Sequence, residues 1–513
     1  MTATTLVRGR YVLEGLDGDR PVVHEDAAVL LNGDRVGEIG PFDALKDRNP
    51  GAIVVGTAES AVIPGLINAH HHIGLTPLQL GSPDHPLELW FASRLALRDV
   101  DLYLDTLYSA FEMIASGVTT VQHLHSRAPG GPEQILHAAG EVIRAYRDIG
   151  MRASYSIALR DQNRLVYEPD EAFLQRLPES LRPEMADYFR RFTMPLEEQV
   201  AVFGDLHGAY KGEPRTRVQL APANLHWLSD AALEAAAEMA ERFDVPMHMH
   251  LVETPYQKNY AQKRTGGTAF AHLHRFGLTG PRMTIGHGTW MTEADIELCA
   301  DTGTCLCHNC SSNLRLKSGI APVNRYLERG VAVAIGIDEA GINDDRDILQ
   351  EMRLVLRMHR VPGHGSPFPT PPQVLRMATE HAAKTTPFAA EIGRLLPGLA
   401  ADLTVLDWRA VTRPYQSGDI PFVDVLVQRA KSTSVRSVMV AGELIYDDGR
   451  FTRVDRNAAL DEIEARLAAP LTEAEERRRA LAREVFPYVA AFYADESWAV
   501  RPEKPFYRWN DRT

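Results

Sequence analysis

Hydrophobic and polar positions follow two different textures along the chain. Near both ends they form short runs broken by Gly, Asp and Asn: "TLVRGRYVLEG", "AAVLLNGDRVGEIGP" and "AIVVGTAESAVI" first, then "ADLTVLDW" and "SVRSVMVAGELIYDDGRF". Short runs rich in β-branched residues and bounded by turn formers read as strands. Two such ends around a different middle predict one small β-sandwich domain, built from residues 1–60 and 395–455.

The middle, 61–394, alternates short apolar runs such as "GVTTVQHLH", "MRASYSIAL", "RVQLAPANL", "VPMHMHLVE" and "GVAVAIGID" with amphipathic stretches such as "DAALEAAAEMAERF". Strand–helix repetition of this kind implies parallel strands with crossover helices. The expected fold class is therefore α/β, a (β/α)8 TIM barrel over 61–394. The stretch 160–214 is too long for a simple connection and predicts helices over the barrel mouth, with a plain surface insertion as the alternative. Residues 456–513 open as a charged helix, "LTEAEERRRALAREVF", and end rich in aromatics, "SWAVRPEKPFYRWNDRT". That tail is expected to pack on the barrel or on a second subunit.

Composition narrows the function classes. The chain is 45% hydrophobic and 24% charged, an ordinary globular balance, with a net charge of −13. That charge argues against nucleic acid or an anionic membrane as partner. The N-terminus lacks the apolar core of a signal peptide, and no run is long enough to span a bilayer, so the expected location is cytoplasmic. All four cysteines, Cys299, Cys305, Cys307 and Cys310, fall in "CADTGTCLCHNC". Their spacing matches no paired C-x-x-C zinc module, so they read as small buried hydrophobes, with a thiolate metal site as the alternative.

The chemistry lies at predicted strand ends. "NAHHHIG" ends the first barrel strand. Alternate side chains share a face, so His70 and His72 point together into the barrel and His71 points away. "VPMHMHLVET" adds His248, His250 and Glu253, "MTIGHGTW" ends at His287, and "VAVAIGIDEAG" ends near Asp338. Imidazoles and a carboxylate converging at the C-terminal face of a barrel suit a divalent ion such as Zn2+ or Fe2+.

These motifs, with "PGLINAHHHIG" and "HNCSSNLRLKSGIAPV", resemble the metal-dependent amidohydrolase superfamily, in its cytosine-deaminase-like and triazine-hydrolase branch. The resemblance spans residues 1 to 450. It implies metal ligands His70, His72, His250 and Asp338, with Asp338 also accepting the proton of the attacking water. It further implies Glu253 as the proton shuttle, and His287 as the group that polarises the attacked centre. Asn309, Ser312 and Asn313 match a loop of that branch. No lysine ends the fourth strand, "VQLAPANLHW", so the carbamylated lysine that bridges two metals elsewhere in the superfamily is missing and one metal is expected. The implied activity is an aminohydrolase acting on a small N-heterocycle. The alternatives are an amide, urea, carbamate or thiocarbamate hydrolase at the same site, or an inactive scaffold. A homodimer or homotetramer is expected.

Departures from the family pattern mark the substrate side. Ala223 and Asn224 stand where adenosine-type members carry a histidine, which argues against adenosine-type substrates. Glu339 follows Asp338 in "DEAGINDD", an extra carboxylate suited to a cationic or amine-bearing substrate, with a solvent-facing side chain as the alternative. His123 and His125, on one face of strand two, join Asn224, Asn309, Asn313 and Glu339 as candidate substrate-binding residues; for the two histidines the alternative is a hydrogen-bonded supporting role. Trp90, Arg160 and Arg164 are candidate pocket liners, and His248 is expected to support His250 from the layer below.

Overall fold

The computed structural model describes residues 4–126, 129–361, 363–364 and 369–498. The middle of the chain carries a succession of parallel strands. In chain order they are Leu66–His71, Val118–His125, Arg152–Leu159, the broken pair Thr216–Val218 and Ala221–Pro222, Met247–Leu251, Met283–His287, Cys305–His308 and Val333–Ile335. They pair as two sheets, one up to Ala221–Pro222 and one from Met247–Leu251 onward. Single parallel bridges link the sheets at both seams, Leu220 with Met247 and His71 with Asp338. With helices between successive strands, this is a TIM-barrel-like α/β fold.

Burial explains why these runs become strands. Every residue of Val118–His125 is buried, because one face meets the interior and the other meets helices. The helix Asp230–Phe243 buries Ala232, Leu233, Ala236, Met239 and Ala240 along one stripe. It starts where the Ser229 side chain accepts from the Ala232 N–H, and stops at Asp244 in the left-handed region, φ 52°. The helix Pro132–Ile149 ends at Gly150, φ 87°. A Cβ there would also lie 2.7 Å from Ile445, so glycine is required twice over.

Strands from both chain ends join in one hydrogen-bonded sheet of nine. The halves meet where Ser60–Pro64 runs antiparallel to Leu403–Asp407, with Val62 opposite Val405. Val7, Val12, Val29, Val62, Leu403, Val405 and Met439 share its core. The sheet is tied to the barrel strands by Arg152, whose Nε and Nη2 donate to Asp402 at 2.7 and 2.9 Å, with both residues buried.

The 160–214 stretch folds as three helices, Asp170–Arg176, Arg182–Arg191 and Leu196–Tyr210. Phe173, Met185 and Phe189 there pack with Leu481, Val485 and Phe492 of the C-terminal helix Glu473–Ala494. That helix therefore docks within its own chain. Residues 499–513 of the aromatic tail lie outside the described residues. The four cysteines are free and buried. Among the described residues no helix is long and apolar enough to cross a membrane.

Candidate metal and catalytic site

The strand ends bring four of the singled-out side chains to one point. His70 Nε2 lies 3.1 Å from His72 Nε2 and 3.1 Å from His250 Nε2, and His72 and His250 are 3.0 Å apart. Asp338 Oδ1 stands 3.1 Å from His72 Nε2 and 3.6 Å from His70 Nε2. His71 points the other way, its Nε2 3.1 Å from Ser109 Oγ on the helix Leu102–Ala115.

The second nitrogen of each ring decides what this cluster can hold. His72 Nδ1 bonds the Leu124 carbonyl at 2.5 Å, and His250 Nδ1 bonds the Ala223 carbonyl at 3.1 Å. A carbonyl only accepts, so each Nδ1 carries a proton, and in the neutral ring each Nε2 presents a lone pair. Two lone pairs then face each other with a carboxylate beside them. That set is satisfied by a cation, and it fits a divalent metal. His70 is turned by His248, whose Nε2 lies 2.8 Å from His70 Nδ1.

Electrostatics sharpens the point. Burial lowers the pKa of His70 and His250, so both stay neutral. Burial also opposes a charge on His72, but the Asp338 carboxylate raises its pKa above the ordinary histidine value. Burial opposes the Asp338 carboxylate too, yet His72, His287 and the Ser312 hydroxyl, 2.5 Å from Oδ2, hold its pKa below the usual range.

Glu253 and His287 complete the site. The Glu253 carboxyl accepts from Ser318 Oγ at 2.9 Å and lies 3.7 Å from His287 Nε2. Burial, then the nearby charges of Asp338, Glu88 and Glu339, push its pKa well above the usual carboxylate value. His287 Nδ1 is 2.9 Å from Asn313 Oδ1, and Asn309 Nδ2 is 3.3 Å from His287 Nε2. His287 and Asp338 both sit in the left-handed region, φ 69° and 66°, a costly backbone choice for non-glycine residues that clusters at functional sites.

A cavity open to solvent lies over the cluster. His72, His250, Glu253, His287 and Asp338 form its polar floor, and Leu87, Trp90, Phe91, Leu165, Tyr188 and Trp227 supply apolar wall. Asn224, Arg160, Arg164 and Glu339 also line it.

The remaining substrate-side candidates fall in different surroundings. His123 does not face the cavity: its Nδ1 bonds Tyr146 Oη at 2.9 Å in the helix layer, and its ring stacks on Tyr155. His125 bonds Tyr155 Oη at 2.8 Å and lines a separate, mainly apolar chamber that meets the cavity at Ser126 and Arg160. Glu339 does reach the cavity, but its charge is already matched by Arg94 Nη1 at 3.0 Å, with Arg94 itself over the Trp90 ring. Asp344 is likewise turned to Arg315 at 2.8 Å and Thr76 at 2.9 Å. Asn309 and Asn313 hold His287 and are not among the cavity-lining residues.

Sequence reasoning missed Arg94 and Ser318. The four-residue spacing of Trp90 and Arg94 was a usable signal for the first, since i and i+4 share a helix face. Ser318 lies in a loop with no periodic signature.

Comparison with known proteins follows the same lines. At 30% identity over 449 residues, the chain is similar to the 5-methylthioadenosine/S-adenosylhomocysteine deaminase of Nitratidesulfovibrio vulgaris, covering 86% of this chain and 92% of that protein. It is 27% identical over 465 residues to the 5'-deoxyadenosine deaminase of Methanosarcina mazei, covering 90% and 96% of the two chains. A zinc-bound adenosine deaminase from Xanthomonas campestris shares the fold, with a TM-score of 0.77 at 24% identity over 93% of this chain and 99% of that one. The zinc complex of atrazine chlorohydrolase from Arthrobacter aurescens does so at 0.76 and 23%, over 90% and 99%. The sequence model of the amidohydrolase family matches residues 61–445, a span that holds every residue of the cluster, and the chain belongs to that family.

Proposed function

We propose that the protein is a metal-dependent aminohydrolase that replaces the amino group of a small N-heterocycle with oxygen, on a closed (β/α)8 barrel flanked by a β-sandwich of both chain ends. The observation that carries this reading is the placement of the buried Glu253 carboxyl, 3.7 Å from His287 Nε2, beside a cation-seeking cluster. His70, His72, His250 and Asp338 would hold one metal ion, with Zn2+ assigned first and Fe2+ as the alternative. When bound, such an ion acts as a Lewis acid and makes water a nucleophile at neutral pH. Asp338 accepts a proton at Oδ1, while Ser312 fixes its other oxygen. Glu253 delivers its proton to the ring nitrogen next to the attacked carbon and regains one from the hydroxyl that has added there, while Asp338 passes its proton to the departing amine. His287, held neutral by burial and oriented through Asn313, presents Nε2 toward the attacked centre. A homodimer or homotetramer is the assembly we assign.

The names of the relatives favour an adenine-bearing nucleoside, whereas Ala223 and Asn224 weigh against one. An ammonia-release assay over adenosine-type nucleosides, other aminated purines, pyrimidines, pterins and triazines tests the reading. Release from at least one of these, with none from phenylureas or carbamates, is the expected result; the reverse pattern sinks it.

His248 gives a quieter prediction. It touches the metal set only through His70 Nδ1. Replacing it with Ala should weaken metal affinity about 10–100-fold, as removal of an outer partner of a ligating histidine does. Competition with a chelator of known affinity measures it; unchanged affinity would mean that His248 only fills space.

A further inference from the structure

Outside the site described above, the strand Cys305–His308 ends on a second group of metal-binding side chains. One nitrogen each of His308 and His359 and the Cys310 sulfur all lie within 4.8 Å of one another, and all three residues are buried. His308 points into the helix layer, where His359 follows the helix Ile348–Met358 and Cys310 opens the short helix Cys310–Arg315. The two Nε2 atoms are 2.9 Å apart, close to the 3.0 Å between His72 and His250 in the main cluster.

A plain hydrogen-bonded histidine pair explains this group only in part. His308 Nδ1 is buried and has no partner, whichever ring donates between the two Nε2 atoms. An unsatisfied buried polar atom costs about 1–3 kcal/mol. Glu351 adds an unbalanced acid: its carboxylate is buried, accepts from the Ser311 N–H at 2.9 Å and from the Ser311 hydroxyl, and has no cationic partner among its hydrogen bonds. Burial pushes Glu351 up to about 7. Burial and the Glu351 charge push the Cys310 thiol up as well. Burial lowers both histidines, His359 to about 4, so both are neutral ligands at physiological pH.

We propose that His308, Cys310 and His359 form a second, structural metal site for a thiophilic divalent ion, Zn2+ by ligand type, with Glu351 as the balancing carboxylate. A thiolate and a carboxylate neutralise a divalent charge, and two neutral imidazoles complete a Cys/His donor set of the kind zinc selects. The ion would pin the end of the strand Cys305–His308 to the helix Ile348–Met358. Two and three residues beyond Cys310 stand Ser312 and Asn313, which hold Asp338 and His287, so the site braces the loop that orients both.

The test is metal counting on the full chain, loaded with excess Zn2+ and desalted. Two equivalents per chain are expected, falling to one in Cys310→Ser and in His359→Asn with the circular dichroism unchanged. Loading with Co2+ should give a thiolate charge-transfer band that survives Cys307→Ser, a thiol near His70, and vanishes in Cys310→Ser. Should either variant fail to fold, the wild-type count and the Cys307→Ser spectrum still decide. A single equivalent with no thiolate band overturns the proposal. So does a second equivalent that survives both variants, or a band lost with Cys307. A single equivalent lost in Cys310→Ser but kept in His72→Ala would uphold this site and sink the first.

Discussion

Glu253→Gln lowers kcat by about 10³-fold while the metal content stays that of the wild type, within the range that a positioned proton carrier contributes. Gln keeps the size of the side chain and its bond to Ser318, but has no transferable proton. The mechanism needs that proton at a nitrogen that becomes basic during attack, and the other carboxyl of the cavity floor, Asp338, is held below the usual range. The sign of the pH dependence follows. The folded-state pKa of Glu253 is raised, so the active, protonated form is present below that pKa and lost as pH rises through it. The wild-type kcat profile should therefore carry a falling limb on the alkaline side of the usual carboxylate range, absent from the residual activity of the variant. Metal loss in the variant would show that Glu253 is a ligand. Retained turnover would show that the proton comes from elsewhere.

The largest stability effect is expected away from the site. Arg152→Met should destabilise the protein by about 3–5 kcal/mol, read by urea unfolding. The substitution preserves much of the packing but leaves the Asp402 carboxylate buried without its two guanidinium bonds. Asp402 also accepts from the Ala441 N–H at 2.7 Å, so the unpaired charge would sit at the joint between the barrel and the outer sheet. The double variant Arg152→Met/Asp402→Leu should recover most of the loss, because removing both charges removes the desolvation penalty. If the single variant is near neutral, the joint is held by apolar packing instead.

The centre of the site was legible in the sequence because a strand has a period of two and a barrel gathers its strand ends. His70 and His72 could be read as sharing a face, and His71 as facing away, before any pairing was known. The same rule left two readings open at His123 and His125. Their shared face was right, but its direction depends on the register between strands. His123 pairs with His71, so both point outward to the helices. Register is a property of two segments and is absent from either alone.

Glu339 shows the other limit. As a motif it was an extra carboxylate at the mouth; in the fold its charge is met by Arg94, 245 positions away in the chain. The cysteine run was likewise legible as buried thiols, with a thiolate metal site as the alternative; no partner for such a site could be named, because His359, brought to Cys310 by the helix Ile348–Met358, lies far outside the run.

By itself, then, the sequence determined the strand–helix alternation, the donor set and the face each strand-end donor shares, since these follow from local periodicity and side-chain chemistry. Tertiary structure decided which direction each face points, which charges arrive already paired and which walls enclose the cavity. Those depend on contacts between distant segments, and free energy selects among such contacts only once the chain has closed on itself.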